Sequence, residues 1–265
     1  MGKELKRLRR RKSSQAKLED IWEHSNSSLI VHYSCESFYD RDDGKTPRVT
    51  SIAARNLASG QTESFSIHKI AEQRKLPFDE IDENYDELEK EMLGEYFDFV
   101  RSHQHFNWVH WNMRDINYGF AALEHRFRVL GREPIIITED RKFDLARAMV
   151  SIYGLGYIEH PRLQKLIEKN LITDKGFLSG KKEADAFEQK DYIKLHQSTL
   201  RKADILANIF ERTADGSIKT NSSWFEQCGV HPKVLVEIVQ DHWLWTLVVI
   251  VAIIIGLISS AAALF

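Results

Sequence analysis

Cysteine is nearly absent from this 265-residue chain, with only Cys35 and Cys228, far apart and in no ligand spacing. That excludes a disulfide framework and a cysteine zinc site, and it fits a reducing compartment. No internal repeat, P-loop or GxGxxG run is present, so solenoids and the two commonest glycine-rich phosphate cradles are excluded as well. The basic N-terminus leads into charged and polar residues rather than an apolar stretch, so no signal peptide is expected. From Trp243 to Phe265, WLWTLVVIVAIIIGLISSAAALF, charge of either sign is missing.

That last absence is the strongest signal in the sequence. About 20 apolar residues at ~1.5 Å each suffice to cross a hydrocarbon layer ~30 Å thick. Trp243 and Trp245 stand at the entry to the run, where an aromatic belt lies at a membrane interface. The expectation is a single-pass, tail-anchored membrane protein with its bulk on the cytoplasmic side. Ala252, Gly256 and Ser260 recur at four-residue steps, a spacing that lets transmembrane helices pack closely, so a homo-oligomer through the span is a further expectation.

What is present describes a folded protein: 43% of residues are hydrophobic, enough to bury a core of ordinary size. The formal net charge of −2 conceals a strong asymmetry. KELKRLRRRK at 3–12 is almost wholly basic, whereas FDEIDENYDELEKE, Phe78 to Glu91, is acidic. Lys6, Arg7, Arg9, Arg10, Arg11 and Lys12 are candidates for contact with nucleic acid or anionic membrane lipid. The expected organisation is a basic arm at 1–28, an α/β domain at 29–215, a juxtamembrane segment at 216–242 and a transmembrane helix at 243–265.

Within the domain, LIVHYSCESF, RVTSIAARNL and ESFSIHKI read as three antiparallel strands. Residues 85–103 carry apolar positions at three- and four-residue steps and predict a helix. FNWVHWN predicts a strand, INYGFAALEHRFRVLG a helix closed by Gly131, PIIITED a buried strand, and KFDLARAMVSIYG a helix. HPRLQKLIEKN predicts a short helix with Pro near its start. The segment from Phe177 to Arg212 contains a long amphipathic helix with the stripe Ile193, Leu200, Ala203, Ala207 and Phe210. This order describes a mixed α/β sheet flanked by helices. It is also the order of the ribonuclease H-like fold.

Alternation on an extended strand puts Ile30, His32, Ser34 and Glu36 on one face. Glu36 then projects near the strand's carboxyl end, where open α/β sheets place their sites. Asp115 follows the strand FNWVHWN and opens the next helix, where it also suits an N-cap. Asp204 lies on the late helix beside the apolar stripe, where a surface pairing with Arg201 or Arg212 is the plainer role. The order of these motifs resembles the DEDD family of 3′–5′ exonucleases. VHYSCES is similar to the family's first motif, with Ser34 standing where Asp is expected, while WVHWNMRD and KLHQSTLRKADILANIF are similar to the second and third. The resemblance implies that Glu36, Asp115 and Asp204 are catalytic and hold Mg²⁺ or Mn²⁺, whose bound water attacks a phosphodiester. A serine hydroxyl neither balances nor bridges divalent charge, and Thr199 and Leu200 occupy the places of the water-activating residue. The resemblance therefore implies a degenerate domain that binds or processes nucleic acid or nucleotides at the membrane surface. The alternative is a non-enzymatic membrane effector or scaffold whose soluble domain senses a ligand or partner.

Overall fold

The run Leu29–Val31 followed by Tyr33 suits a buried, pleated strand, and SLIVHYSC forms the central strand β1 (Ser28–Cys35), buried along its whole length. Strand β2 (Val49–Asn56) pairs antiparallel with it, and β3 (Thr62–Ser66) pairs antiparallel with β2. On the other side of β1 lies β4 (Asn107–His110), parallel to it, followed by the short parallel strand β5 (Lys142–Asp144). The sheet order is β3-β2-β1-β4-β5. This is the expected mixed sheet flanked by helices, and it is compatible with a ribonuclease H-like arrangement. The computed structural model describes residues 2–36, 46–115 and 117–222, together with 247, 250, 251 and 253–255. The expected span at 243–265, including Trp243, Trp245 and Gly256, lies almost wholly outside them. Among the described residues no helix is long and apolar enough to cross a membrane.

The alternation of β1 divides the core in two. Leu29, Val31, Tyr33 and Cys35 face one apolar cluster with α2 (Ile67–Gln73), α3 (Tyr85–Ser102) and α4 (Phe120–Val129). Ile30 faces the other cluster, built with α1 (Lys3–Glu23), α5 (Leu145–Tyr153), α6 (Arg162–Lys169) and α8 (Tyr192–Ala214). Helix α8 lies across β1 and β2 on this second face. The first face also buries a charged pair: Arg126 of α4 grips both carboxylate oxygens of Glu89 on α3, while Glu89 Oε1 accepts the Val49 amide of β2 at 2.7 Å.

Several boundaries differ from the sequence expectation, each for a local reason. The expected arm at 1–28 contains helix α1, whose Leu18 and Ile21 are buried against the second cluster, so the basic residues ride on a packed element. In ESFSIHKI the strand stops at Ser66, and Ile67, His68 and Ile70 enter α2. PIIITED is not a strand: Ile136 is exposed, Ile137 is buried, and the ladder next to β4 is made by Lys142–Asp144 instead. Three isoleucines in a row carry β propensity, but only a segment in register with β4 completes hydrogen bonds there. Helix α4 starts at Phe120 because Gly119 is pressed against the preceding turn; a Cβ at Gly119 would sit 2.6 Å from the Met113 carbonyl oxygen. The segment from Phe177 to Arg212 holds the expected long amphipathic helix, α8, preceded by a short helix, α7 (Gly180–Glu188); of the stripe, Ala203 and Phe210 are buried and Ile193 is exposed. Past α8 the chain stays on the domain as far as Ser222. Ile218 is buried, Lys219 exchanges hydrogen bonds with the Asn170 side chain, and Ser222 Oγ donates to the Tyr153 carbonyl.

Candidate functional site

The even-numbered face of β1 meets α8 through polar rather than apolar side chains at one level. Ser34 and its register partner Ser51 lie opposite Thr199. Thr199 Oγ1 donates to Ser34 Oγ at 2.9 Å, and Ser34 Oγ donates to Glu183 Oε1 at 2.9 Å. Ser51 and Thr199 hydroxyls are 2.7 Å apart. Each hydroxyl carries one proton, so Ser51 donates to Thr199 and Ser34 to the carboxylate, while Thr199 shares its proton between Ser34 Oγ and the Leu195 carbonyl oxygen at 3.0 Å. Ser198 Oγ adds a second donor to Glu183 Oε1 at 3.0 Å, and Lys202 Nζ stands 2.6 Å from Oε2. All of these groups are buried, Glu183 completely. A buried carboxylate is tolerated when it is paired: Glu183 Oε1 accepts two hydroxyls, while Oε2 has the Lys202 charge beside it but no hydrogen bond among the described residues.

The position that a nuclease would fill with a metal-ligating Asp thus belongs to a closed hydroxyl relay ending on an ion pair. The other expected ligands stand elsewhere. Glu36 is half-buried just past β1 and accepts the Arg48 amide on Oε2 at 3.3 Å. Asp115 is exposed and closes a tight turn, accepting the Asn117 amide at 2.9 Å, and the N-cap of the following helix is Gly119. Asp204 is paired with Arg55 at 3.2 Å and Arg201 at 4.0 Å. Arg55 lies opposite Ile30, six residues back from Glu36, which corresponds to roughly 20 Å along a strand. Helix α8 therefore carries Asp204 toward the end of β1 away from Glu36. Among the described residues no three His, Cys, Asp or Glu side chains form a metal-binding group, so Glu36, Asp115 and Asp204 are not brought together. These donor sets do not fit Mg²⁺ or Mn²⁺ held by that trio. The basic residues of α1, Lys6, Arg7, Arg9, Arg10 and Lys12, are exposed, and Arg11 is half-buried.

Beside the relay is a cavity of about 500 Å³. It lies alongside β1 and beyond the carboxyl end of β4, and its wall includes His32, Trp111, Asp115, Tyr118, Phe177 and the Glu183–Lys202 pair. Pockets of ~300–1,000 Å³ with a mainly apolar lining and a few convergent polar groups are the usual form of a small-molecule site. Trp111 and Phe177 supply flat apolar surface, and Ser179 and Gly180 bring the first turn of α7 to the wall. Asp115 is the one expected ligand that lines it.

Two groups of this wall carry a buried atom without a hydrogen-bond partner among the described residues, Glu183 at Oε2 and His32 at Nε2. The His32 Nδ1 is 3.3 Å from the Tyr118 hydroxyl, which donates to the Tyr33 carbonyl at 3.1 Å. With the Tyr118 proton on the Tyr33 carbonyl, the tautomer that satisfies both contacts carries its hydrogen on Nδ1 and leaves Nε2 as a lone-pair acceptor. Nε2 is buried and meets no partner among the described residues. Burial first, and the Lys202 charge second, hold the ring's pKa well below its ordinary value, so it is neutral.

His32 and Ser34 are legible from the sequence as sharing a strand face, and Asp115 as following a strand. Glu183 and Lys202 were not legible, because their pairing joins two helices 19 positions apart in a region without a shared motif. No family model, curated protein or solved structure matches this chain.

Proposed function

We propose that the chain is a membrane-tethered, ribonuclease H-like domain that binds nucleotides or nucleic acid without cutting them. The observation that carries this reading is the cavity beside β1 and β4, a flat-sided space with aromatic walls and hydrogen-bonding groups. Its neighbour, the Ser51–Thr199–Ser34–Glu183 relay, supports binding rather than hydrolysis, because it uses its own donors internally. The apolar run from Trp243 anchors the chain in the bilayer, and the exposed basic face of α1 holds it against anionic lipid or adds salt-dependent affinity for phosphate. Ala252, Gly256 and Ser260 support self-association through the span, which Gly256→Leu would weaken.

The test uses the full chain in detergent with labelled single-stranded DNA and RNA, with Mn²⁺ or Mg²⁺, reading binding and cleavage together. Retention of the strand without shortening is the expected result. Cleavage abolished by both Glu36→Ala and Asp115→Ala would replace this reading with an active metal-dependent nuclease. Absence of any nucleotide or strand binding by folded protein would leave the effector or scaffold reading in its place.

A further inference from the structure

The cavity wall holds two independent features that point to the chemistry of an occupant. One is His32 Nε2, a lone pair on a side chain 6% exposed, with no donor among the described residues. An acceptor buried without a partner is disfavoured, and a ligand N–H or O–H relieves that on binding. The other is the start of α7. Ser179, its N-cap, has extended backbone angles and makes no side-chain capping bond. The Glu183 amide is used within the helix, donating to the Ser179 carbonyl at 2.9 Å, and the three amides before it, at Gly180, Lys181 and Lys182, lack intrahelical acceptors as first-turn amides do. Ser179 and Gly180 line the same cavity as His32. Amides at a helix N-terminus, aligned with the helix dipole, favour an anion there.

The Glu183 carboxylate, also in the first turn of α7, does not oppose an anion strongly because Lys202 matches its charge at 2.6 Å. Asp115, exposed on the wall, offers a second acceptor suited to a hydroxyl. The occupant this wall fits has a flat ring for Trp111 and Phe177, at least one N–H or O–H donor, and an anionic group. A nucleoside monophosphate has all three. We propose that the cavity takes one nucleoside monophosphate unit, its phosphate on the opening amides of α7 and a base or sugar donor on His32 Nε2. This rests on the nucleotide-binding reading above and adds a pose to it.

Two substitutions isolate the two contacts. Gly180→Pro removes an amide at the first helical position, where proline is tolerated, and the extended Ser179 before it suits a following proline. His32→Phe keeps a ring and removes the acceptor. The full chain in detergent is titrated by calorimetry with AMP, GMP, CMP and UMP, the four matching nucleosides, inorganic phosphate, and a short single-stranded oligonucleotide. At least one monophosphate binds, and its nucleoside binds ten-fold or more weakly. Gly180→Pro brings the monophosphate's affinity several-fold toward that of the nucleoside and leaves the nucleoside unchanged. His32→Phe weakens both ten-fold or more. Wild-type protein gives a check that needs no variant: on adding the monophosphate, the His32 Nε2 nitrogen resonance moves from that of a free acceptor toward that of a hydrogen-bonded one. Should the oligonucleotide bind and the monomers not, the unit belongs to a strand end, and the same two variants must weaken the oligonucleotide. Nucleotide binding that neither variant weakens, with the Nε2 resonance unmoved, overturns the pose and leaves the broader reading standing. If no probe binds folded protein, both fall.

Discussion

Ser34 shows how one side chain decides what a site can be. In a metal site this position would carry negative charge; here it passes a proton's hydrogen bond from Thr199 to Glu183. Ser34→Asp would restore the Asp-x-Glu spacing but press a second carboxylate against a buried one. Like charges in such contact cannot both ionise without large loss, so the variant is expected to be less stable by roughly 2–4 kcal/mol. Denaturant unfolding with and without Mn²⁺ checks this, and stabilisation by the metal would show that a site had been rebuilt. Lys202→Met is expected to be worse, by roughly 3–5 kcal/mol, because it strands the Glu183 charge in the interior. The double variant with Glu183→Gln should recover most of that loss in the same unfolding measurement. The sequence disclosed that Ser34 was unusual for its strand. It did not disclose the reason, since a hydroxyl relay is assembled from residues on β1, β2, α7 and α8 that only the tertiary fold brings to one level.

At the scale of elements, periodicity was a good guide wherever a segment buries one face. The three-to-four-residue stripe placed α3 within a residue of its ends, and strand-like composition placed β1, β2 and β4, which are buried on both faces. It failed where register or side-chain exchange decides. The isoleucines at 135–137 have the composition of a strand but not the partner, and ESFSIHKI turns helical after Ser66. Helix α8 also misled at the candidate site: Asp204 was legible as helical, but the direction in which α8 crosses β1 fixed its distance from Glu36. The contact of α8 with α2 predicts a pH response. His196 and His68 have ring centroids 5.0 Å apart, and burial, then His68 and Lys69, bring the His196 pKa down to about 4; burial likewise brings His110 to about 4. Both are neutral in the folded protein and take up protons on unfolding. Their contribution to stability is complete above their unfolded value near 6.5 and is lost as pH falls toward 4. Each adds a slope of up to about 1.4 kcal/mol per pH unit within that window. Unfolding free energies measured between pH 7 and 5 should fall, and His196→Gln should flatten the fall by up to one proton.

The whole molecule joins a folded domain to an apolar tail that composition alone identifies, since the tail's length and lack of charge need no tertiary information. A flotation assay with liposomes tests the anchor. The full chain should rise with the vesicles in high salt and at alkaline pH, while a chain ending at 242 should stay at the bottom of the gradient. Recovery of the shortened chain with vesicles only at low salt would assign that residual attachment to the basic face of α1.

The clasp at the end of the domain has a geometric consequence. Because Lys219 and Ser222 are fastened to Asn170 and Tyr153, the domain releases the chain at a defined corner, next to α5 and α6. Between Ser222 and an anchor at Trp243 there is contour for a reach of at most roughly 70 Å. The cavity of an anchored chain would thus be confined to a thin layer beside the bilayer. A tether of this size replaces a search through the cell's volume with a search across a surface, at effective concentrations that can approach the millimolar range for targets held at that same surface. Modest intrinsic affinity would then be sufficient for a ligand made or displayed at the membrane, and the same ligand free in solution would go largely unread.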